Sequence, residues 1–234
     1  FSELGLDPLI LKSVLAAGYE NATPVQQKAI PAALSGGDLL VSSHTGSGKT
    51  AAFLLPSIQR LLAESTGKGM GPRVLVLTPT RELALQVSEA TAMYGSNLED
   101  LRVATVVGGM PYGAQLKALS RRVDVLVATP GRLLDHLQAR RVDLSTVHTL
   151  VLDEADRMLD IGFRPDIEKI LKACPAERQT LLLSATMAPP VEKLAHRYMV
   201  SPEMVDLSED RVVVDTIEQY YVTVDEDRKR SLLL

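Results

Sequence analysis

The fold of the chain is decided by one stretch near its start, Leu39-Leu40-Val41-Ser42-Ser43-His44-Thr45-Gly46-Ser47-Gly48-Lys49-Thr50. It begins with a short apolar run and continues with glycine and small polar residues. From Ser43 onward it matches a phosphate-binding P-loop at every position except the first, where serine replaces glycine. Backbone N–H groups of such a loop and of the helix behind it point at phosphate oxygens. The stretch therefore predicts a strand, a phosphate-binding turn and a helix.

The residue types of this turn predict separate roles toward a nucleotide. Lys49 can reach the β- and γ-phosphates, and the Thr50 hydroxyl can hold Mg²⁺. The backbone from Thr45 through Gly46 and Ser47 to Gly48 is expected to surround the phosphates. The alternative is a Gly/Ser turn that happens to precede a lysine. The strand before it and the helix after it favour the P-loop.

Outward from this stretch, short apolar runs alternate with helical patterns. Continuously apolar strands are typical of a parallel sheet with helices on both faces. We therefore predict an α/β fold with a mostly parallel sheet covered on both sides. The predicted strands are Leu39–Ser43, Arg73–Leu77, Arg102–Val107, Val123–Ala128, Thr149–Asp153 and Thr180–Ser184. The predicted helices, after two that precede the first strand, are Lys49–Glu64, Glu82–Tyr94, Tyr112–Arg121, Arg132–Arg140, Ile167–Ala173 and Val191–Tyr198.

Composition excludes several classes of protein. Of 234 residues, 46% are hydrophobic and 23% charged, which is enough apolar surface for a folded core. The net charge of −4 argues against binding nucleic acid through bulk charge. A single cysteine, Cys174, excludes an intrachain disulfide and a cysteine-based metal cluster. No apolar run approaches the ~18 residues of a membrane span, so we expect no membrane partner. The single cysteine suits a reducing compartment, and we expect a cytoplasmic monomer.

A second chemical feature follows the apolar run Thr149–Leu152, which leads into Asp153-Glu154-Ala155-Asp156. An Asp at the carboxyl end of a strand can accept a hydrogen bond from Mg²⁺-bound water, and the adjacent Glu can polarise an attacking water. Acidic residues are also common at helix N-termini without any catalytic role. Together with the P-loop, however, they predict a hydrolytic site with Lys49, Asp153 and Glu154 as catalytic residues, and with Thr50 and Asp153 at the metal.

The choice between guanine and adenine as the base of the nucleotide depends on a motif that the sequence lacks. Its only two asparagines are Asn21 and Asn97, and neither precedes a lysine. The Asn-Lys-x-Asp guanine-binding motif of GTPases is therefore missing. ATP is the expected nucleotide.

Seven motifs in order resemble those of DEAD-box RNA helicases, in the first of their two RecA-like domains. The resemblance covers nearly the whole chain and departs mildly at Val25, where Ile is commoner, and at His44, where Gln is frequent. The motifs are Gly18-Tyr19 with Thr23-Pro24-Val25-Gln26-Gln27 (Q motif), Ser43–Thr50 (motif I), Pro79-Thr80-Arg81-Glu82-Leu83-Ala84 (Ia), Gly108-Gly109 (GG), Thr129-Pro130-Gly131-Arg132 (Ib), Asp153-Glu154-Ala155-Asp156 (II) and Ser184-Ala185-Thr186 (III).

The resemblance implies how the adenine is bound. Gln26 would read the adenine edge, with Phe1 and Tyr19 near the ring. Thr23 and Gln26 also have the spacing of a capping box, and the two roles are compatible. A terminal Phe can equally cover the core or be mobile.

The resemblance also implies that RNA lies along the carboxyl edge of the sheet. Helix N-termini and arginines there suit backbone phosphates, so binding would be independent of base sequence. Thr80 and Thr129 are also plausible helix N-caps. The implied coupling residues are Asp156, Ser184 and Thr186, joined by hydrogen bonds from motif III to motif II. The implied RNA-binding residues are Pro79, Thr80, Arg81, Gly108, Gly109, Thr129, Pro130, Gly131 and Arg132.

Two domains are expected. Residues 1–207 would form the N-terminal RecA-like domain, and residues 208–234 a linker with the cut start of a second. The resemblance implies that this second domain, acting in cis, supplies arginine fingers, so this chain alone would be nearly inactive. Two alternatives stay open, an ATP-gated RNA clamp without unwinding and a P-loop phosphotransferase. DNA as substrate is a further variant.

Overall fold

The computed structural model of the chain describes residues 1–63 and 71–208. Within these ranges the strands are β1 (Leu39–Ser42), β2 (Val74–Leu77), β3 (Val103–Val106), β4 (Val125–Ala128), β5 (Thr149–Leu152), β6 (Gln179–Ser184) and β7 (Glu203–Asp206). They form one seven-stranded sheet in the order β3-β4-β2-β5-β6-β1-β7. Every pairing in it is parallel, which confirms the predicted α/β class.

The helices cover both faces of this sheet. They are α1 (Pro8–Ala16), α2 (Pro24–Leu34), α3 (Lys49–Ala63), α4 (Arg81–Tyr94), α5 (Tyr112–Leu119), α6 (Pro130–Gln138), α7 (Ala155–Asp160), α8 (Arg164–Ala173) and α9 (Pro189–Tyr198). Strand β2 shows how the core is divided. Its Val74 and Val76 join the cluster under α1 to α4, whereas Leu75 and Leu77 join the cluster under α6 to α9. Alternate side chains of one strand therefore fill two separate apolar layers.

Two elements were not predicted from the sequence. Strand β7 lies at the edge of the sheet, and of its four residues only Val205 is buried. Helix α7 has six residues and starts directly after the acidic motif. Three other helices begin two or three residues earlier than predicted, because Pro130, Pro165 and Pro189 stand in their first turns, where proline is favourable.

Part of the predicted organisation lies outside the described residues. This applies to the expected strand at 216–224, to the expected helix at 225–234, and to nearly all of the linker from residue 208. The domain boundary near residue 207 therefore stays a prediction. Across residues 1–63 and 71–208, no helix combines the length and the apolar character that a membrane span needs.

Candidate functional site

Strand pairing brings the chemical motifs to one edge of the sheet. The backbone N–H of Ser43 donates to the carbonyl of Ser184 at 3.1 Å, and that of Asp153 to Leu77 at 3.0 Å. The carboxyl ends of parallel strands share one edge, where ligands of open α/β sheets bind. The P-loop, the acidic motif and the Ser-Ala-Thr motif are therefore neighbours.

Lys49 forms hydrogen bonds with backbone carbonyls of the P-loop itself. The Nζ atom of Lys49 is buried and donates to the carbonyls of Ser43 and His44, the second at 2.9 Å. Burial lowers the pKa of Lys49, and the nearby Asp153 and Glu154 oppose that effect. The ammonium is thus held by backbone oxygens within reach of the acidic motif.

Gly48 is required for two separate reasons. Its φ of +95° lies in the left-handed region, and a Cβ atom there would lie 2.5 Å from Nε2 of Gln26 and 3.0 Å from Oγ1 of Thr23. Gly46 also has a positive φ, of +79°, but nothing lies within 4 Å of where its Cβ would be. The loop therefore needs glycine at Gly48 for space as well as for backbone geometry.

Gln26 connects the start of α2 to the P-loop. Its Oε1 accepts from the backbone N–H of Thr23 at 3.0 Å, and the Thr23 hydroxyl accepts from the Gln26 N–H at 3.4 Å, which completes the predicted capping box. Its Nε2 donates to the Gly48 carbonyl at 3.1 Å. This last contact was not predicted, because no local pattern joins residues that are 22 positions apart.

A cavity of about 500 Å³ lies between the P-loop, α4 and the acidic motif. Tyr94, at the end of α4, lies with its ring centroid 6.1 Å from that of Tyr19. Phe1 is partly buried and packs against the apolar core instead. Ser47 lines a neighbouring cavity of about 460 Å³. The predicted site residues that line the 500 Å³ cavity are Tyr19, Gln26, Thr45, Gly46, Gly48, Lys49, Thr50, Asp153 and Glu154, and those not predicted include Leu83, Gln86 and Tyr94.

Asp153 is a buried carboxylate in acidic surroundings. It is 3% exposed, and its Oδ1 accepts from the Glu154 N–H at 3.0 Å. Burial and the neighbouring Glu154 raise the pKa of Asp153 to about 7, although Lys49 acts in the opposite direction. A cation would relieve this unfavourable negative charge.

The residues beside Asp153 fit Mg²⁺. A carboxylate and the Thr50 hydroxyl, which line the same cavity, are oxygen ligands of the kind Mg²⁺ prefers. Among the described residues no group of three or more His, Cys, Asp or Glu side chains could hold a metal ion. Mg²⁺ is usually bound through one or two carboxylates together with substrate phosphates and water.

Glu154 adopts an unusual backbone conformation. Its φ of +51° is in the left-handed region, which non-glycine residues rarely occupy. Its Oε2 accepts from Nη1 of Arg157 at 3.1 Å, within the first turn of α7. Such strain persists where the surrounding structure holds it, often at functional sites. The carboxylate lines the cavity beside Asp153.

Asp156 connects the acidic motif to the segment after β6. Its Oδ2 accepts from the backbone N–H of Ala185 at 3.2 Å, and from both the N–H and the hydroxyl of Thr186 at 3.1 Å. The hydroxyl of Ser184 donates to the Thr186 carbonyl at 2.7 Å. The structure thus contains the implied hydrogen bonds between motifs II and III, and they come from Ala185 and Thr186.

Motifs Ia and GG are in direct contact. Nη1 of Arg81 donates to the Gly109 carbonyl at 3.2 Å, and Arg81, Gly108 and Gly109 are exposed. The Thr80 hydroxyl caps α4 by accepting from the Leu83 N–H at 3.2 Å, as predicted. The arginine and the glycine turn therefore form one continuous polar edge.

Motif Ib differs from the expectation in part. Thr129 occupies the N-cap of α6 but makes no side-chain capping bond, so that role is wrong for its hydroxyl. Pro130, like Pro79 in motif Ia, is buried, so both shape turns and present little surface to a ligand. Gly131 is partly exposed. The Cζ atom of Arg132 lies 5.7 Å from the centroid of the Tyr112 ring, which the sequence did not predict.

Comparison with known families agrees with this geometry. The sequence profile described as DEAD/DEAH box helicase matches residues 23–194. The chain belongs to the DEAD/DEAH box helicase family. Among curated proteins, the ATP-dependent RNA helicase CshA of Listeria monocytogenes is 46% identical over the whole chain, which covers 44% of that protein. The ATP-dependent RNA helicase DeaD of Mycobacterium tuberculosis is 44% identical over 96% of the chain, and 39% of that protein is covered.

A solved DEAD-box structure shows the same fold. The crystal structure of a DEAD box protein from the hyperthermophile Methanococcus jannaschii superposes with a TM-score of 0.81 at 37% identity. The match covers all of this chain and 61% of that one. The family and the RecA-like fold predicted from the motifs are therefore confirmed, and the chain spans less than half the length of the two curated relatives.

Proposed function

We propose that this chain is the N-terminal RecA-like domain of an ATP-dependent RNA helicase. One observation carries the proposal. The P-loop residues Lys49 and Thr50 line one cavity with Asp153 and Glu154, at the sheet edge that also carries the motif Ia and GG turns. The CshA and DeaD relatives are ATP-dependent RNA helicases, which supports the same conclusion.

In this proposal ATP is held by the P-loop and the Q motif. The backbone of residues 45–48 and the Lys49 ammonium bind the phosphates, for which Lys49 exchanges its present carbonyl partners. Thr50 and Asp153 would hold Mg²⁺, which neutralises charge on the phosphates when bound. Gln26 and Tyr19 would contact the adenine. Phe1 packs on the core, so adenine stacking by Phe1 would need it to move.

The chemical step assigned to this site is hydrolysis. Glu154 has a carboxylate beside Asp153 in the cavity and would orient the attacking water toward the γ-phosphate. The Arg157 guanidinium lies 3.1 Å from the Glu154 carboxylate and forms an ion pair with it. The hydrogen bonds of Asp156 with Ala185 and Thr186 would connect the state of this site to closure of the domains.

RNA would bind along the same edge through its backbone. Arg81 and Arg132 would provide positive charge there. The exposed backbone of Gly108 and Gly109 would let the RNA phosphates come close to the protein. Binding through a few local arginines, and not through bulk charge, would let a chain of net charge −4 bind a polyanion. Binding through phosphates does not depend on base sequence.

Turnover would require the rest of the protein. A second RecA-like domain in cis is part of the proposal, because the curated relatives are more than twice as long as this chain. An arginine finger supplied from outside contributes roughly 10³- to 10⁵-fold to related hydrolysis reactions. The 234-residue chain alone is expected to hydrolyse ATP negligibly. The proposal also places the protein in the cytoplasm as a monomer.

The function is tested by RNA-stimulated phosphate release from the full-length protein. Lys49→Ala and Glu154→Gln are each expected to abolish turnover, whereas Glu154→Gln retains ATP binding because it keeps the P-loop intact. Lys28→Ala and Glu89→Gln, at exposed positions of α2 and α4, are matched controls that should retain the activity. Unchanged release in both site variants would refute the site assignment.

The alternatives give different products in the same system. A phosphotransferase would yield a phosphorylated small molecule in place of free phosphate. An ATP-gated clamp would bind ATP and RNA without hydrolysis in a single turnover. Stimulation by DNA equal to that by RNA would indicate a different nucleic-acid substrate.

Backbone binding of RNA is tested by salt dependence. Arg81→Ala should weaken single-stranded RNA binding about equally for different base sequences. It should also reduce the slope of log affinity against log salt by roughly 0.7, the value for one lost phosphate contact on a single strand. Arg121→Ala, at an exposed position two residues after α5, is the control.

A further inference from the structure

Two helices hold a cluster of four side chains directly behind the GG turn. Tyr112 and Gln115 come from α5, and Arg132 and His136 come from α6. The rings of Tyr112 and His136 stack with centroids 4.5 Å apart and planes within 4° of parallel. Gln115 is 2% exposed and His136 is 0% exposed, so the lower half of the cluster is buried.

The hydrogen bonds of Gln115 fix the whole cluster. Its Nε2 donates at 3.1 Å to both the Val107 and the Met110 carbonyls, which bracket the two glycines of the GG turn. With both amide hydrogens used, its Oε1 must accept, and His136 Nε2 lies 3.3 Å away as the donor. Burial lowers the pKa of His136, and its Nδ1 atom is buried without a hydrogen-bond partner among the described residues.

The exposed member of the cluster is Tyr112. It follows the GG turn, and 40% of its side chain is exposed while His136 supports its ring. The guanidinium of Arg132 lies over the same ring, 5.7 Å from its centroid. Proteins that bind single-stranded nucleic acids commonly combine aromatic rings with basic side chains, since every base has a face that can stack.

We propose that Tyr112 is an RNA-binding residue that stacks on one base of the strand held by Arg81 and Arg132. Gln115 and His136 act as positioning residues, because they hold the Tyr112 ring and the GG turn in place. The proposal rests on the proposed function, in which this edge binds RNA. It adds one base contact to a site that otherwise binds the backbone, without adding preference for any base.

The first test is RNA affinity of the full-length protein with a fluorescent single-stranded oligouridine and a non-hydrolysable ATP analogue. Tyr112→Ala should weaken binding by about fivefold to 100-fold, the range for one lost stacking contact, whereas Tyr112→Phe should stay within about twofold of wild type. Tyr198→Ala is the matched control, because Arg197 also lies over the Tyr198 ring, at 5.4 Å, but on α9. It should leave RNA affinity unchanged.

The second test separates base stacking from a general loss of structure. Oligonucleotides with one abasic site, moved along the strand, should reveal one position at which the wild-type protein loses affinity. Tyr112→Ala should lose that sensitivity, and Gln115→Ala should reduce it while ATP affinity changes by less than about twofold. A merely structural role for Tyr112 would leave the abasic profile unchanged.

The outcomes are distinguishable from failure of the proposed function. Wild-type protein that binds no RNA would refute the function itself. Wild-type protein that binds RNA, with Tyr112→Ala binding equally well or keeping the abasic sensitivity, would overturn this inference alone. A double variant, Tyr112→Ala with Arg132→Ala, gives a further test. If its loss of RNA affinity is smaller than the product of the two single losses, Tyr112 acts by holding Arg132, which also overturns direct stacking.

Discussion

The side-chain amide of Gln26 donates to the carbonyl of Gly48 at 3.1 Å and so joins α2 to the P-loop. The same side chain completes the cap of α2 through the Thr23 N–H, and it is 4% exposed. One residue therefore stabilises both the start of helix α2, which lies within the Q motif, and the turn proposed to bind phosphates. Loss of either hydrogen bond should therefore weaken both the start of α2 and the P-loop turn.

Substitution of Gln26 tests this link. Gln26→Glu keeps an oxygen for the Thr23 N–H but places a second oxygen against the Gly48 carbonyl. The free energy of unfolding should fall by about 1–3 kcal/mol, the cost of leaving a buried polar group unpaired, and ATP affinity should fall with it. Urea unfolding and nucleotide titration measure the two effects.

Gln27→Ala is the matched control for that experiment. Gln27 is exposed, and its side-chain amide donates to the Ala22 carbonyl at 3.0 Å. Its removal should change stability by less than about 0.5 kcal/mol. Equal effects at Gln26 and Gln27 would contradict the proposed link.

The two P-loop glycines should differ in their tolerance of alanine. Gly46→Ala adds only backbone strain, about 1–2 kcal/mol for a left-handed residue. Gly48→Ala adds the same strain and forces Gln26 and Thr23 to move, because its Cβ would lie within 3.0 Å of both. We expect a larger loss of stability for Gly48→Ala, measured by denaturant unfolding. Equal losses would show that Gln26 adjusts freely.

The hydroxyl of Thr186 should contribute to both stability and coupling. Thr186→Val keeps the shape and removes one of the three donors to Asp156 Oδ2, at a cost of about 0.5–1.5 kcal/mol. Unwinding by the full-length protein should fall more than its ATP affinity. Thr186→Ser, which keeps the hydroxyl, should restore both. A Val variant that unwinds normally would argue against a coupling role.

His136 should make stability depend on pH. Burial first, and then Arg132, lower the pKa of His136, whereas Asp135 raises it and Arg141 lowers it further. As the pH falls through about 6.5, the His136 imidazole therefore becomes protonated in the unfolded chain before it does so in the folded chain. Stability from this residue is complete above about pH 6.5 and falls below it, by up to about 1.4 kcal/mol per pH unit, until the folded group protonates.

Replacing His136 by a ring that does not titrate distinguishes its contribution to the pH dependence of stability from that of other titratable groups. His136→Phe keeps an aromatic ring against Tyr112 and should flatten the decline in unfolding free energy between about pH 6.5 and pH 5. His196→Gln, exposed on α9, should leave the decline unchanged. A decline of the same size in His136→Phe would assign it to another group.

Several features of the site could be predicted because they are encoded locally. The P-loop contains its strand, turn and helix within consecutive residues, so Lys49 and Thr50 could be assigned from spacing alone. The capping box of Thr23 and Gln26 likewise spans four positions and is present. Strand β7 escaped prediction because an exposed edge strand with one buried residue lacks the apolar run of the central strands.

Contacts between segments that are distant in the chain could not be predicted, because no local sequence pattern indicates them. Nothing near Tyr112 in the chain indicates that its ring stacks on His136, or that Gln115 holds the Val107 and Met110 carbonyls from beneath. The same holds for Gln26 and Gly48. Local patterns of polarity and glycine thus specify most of the elements, the family and the chemical groups at the sheet edge. Which groups meet depends on how helices from different parts of the chain pack on the parallel sheet, because hydrogen bonds and ring stacking require atoms within a few ångströms that the chain brings together only on folding.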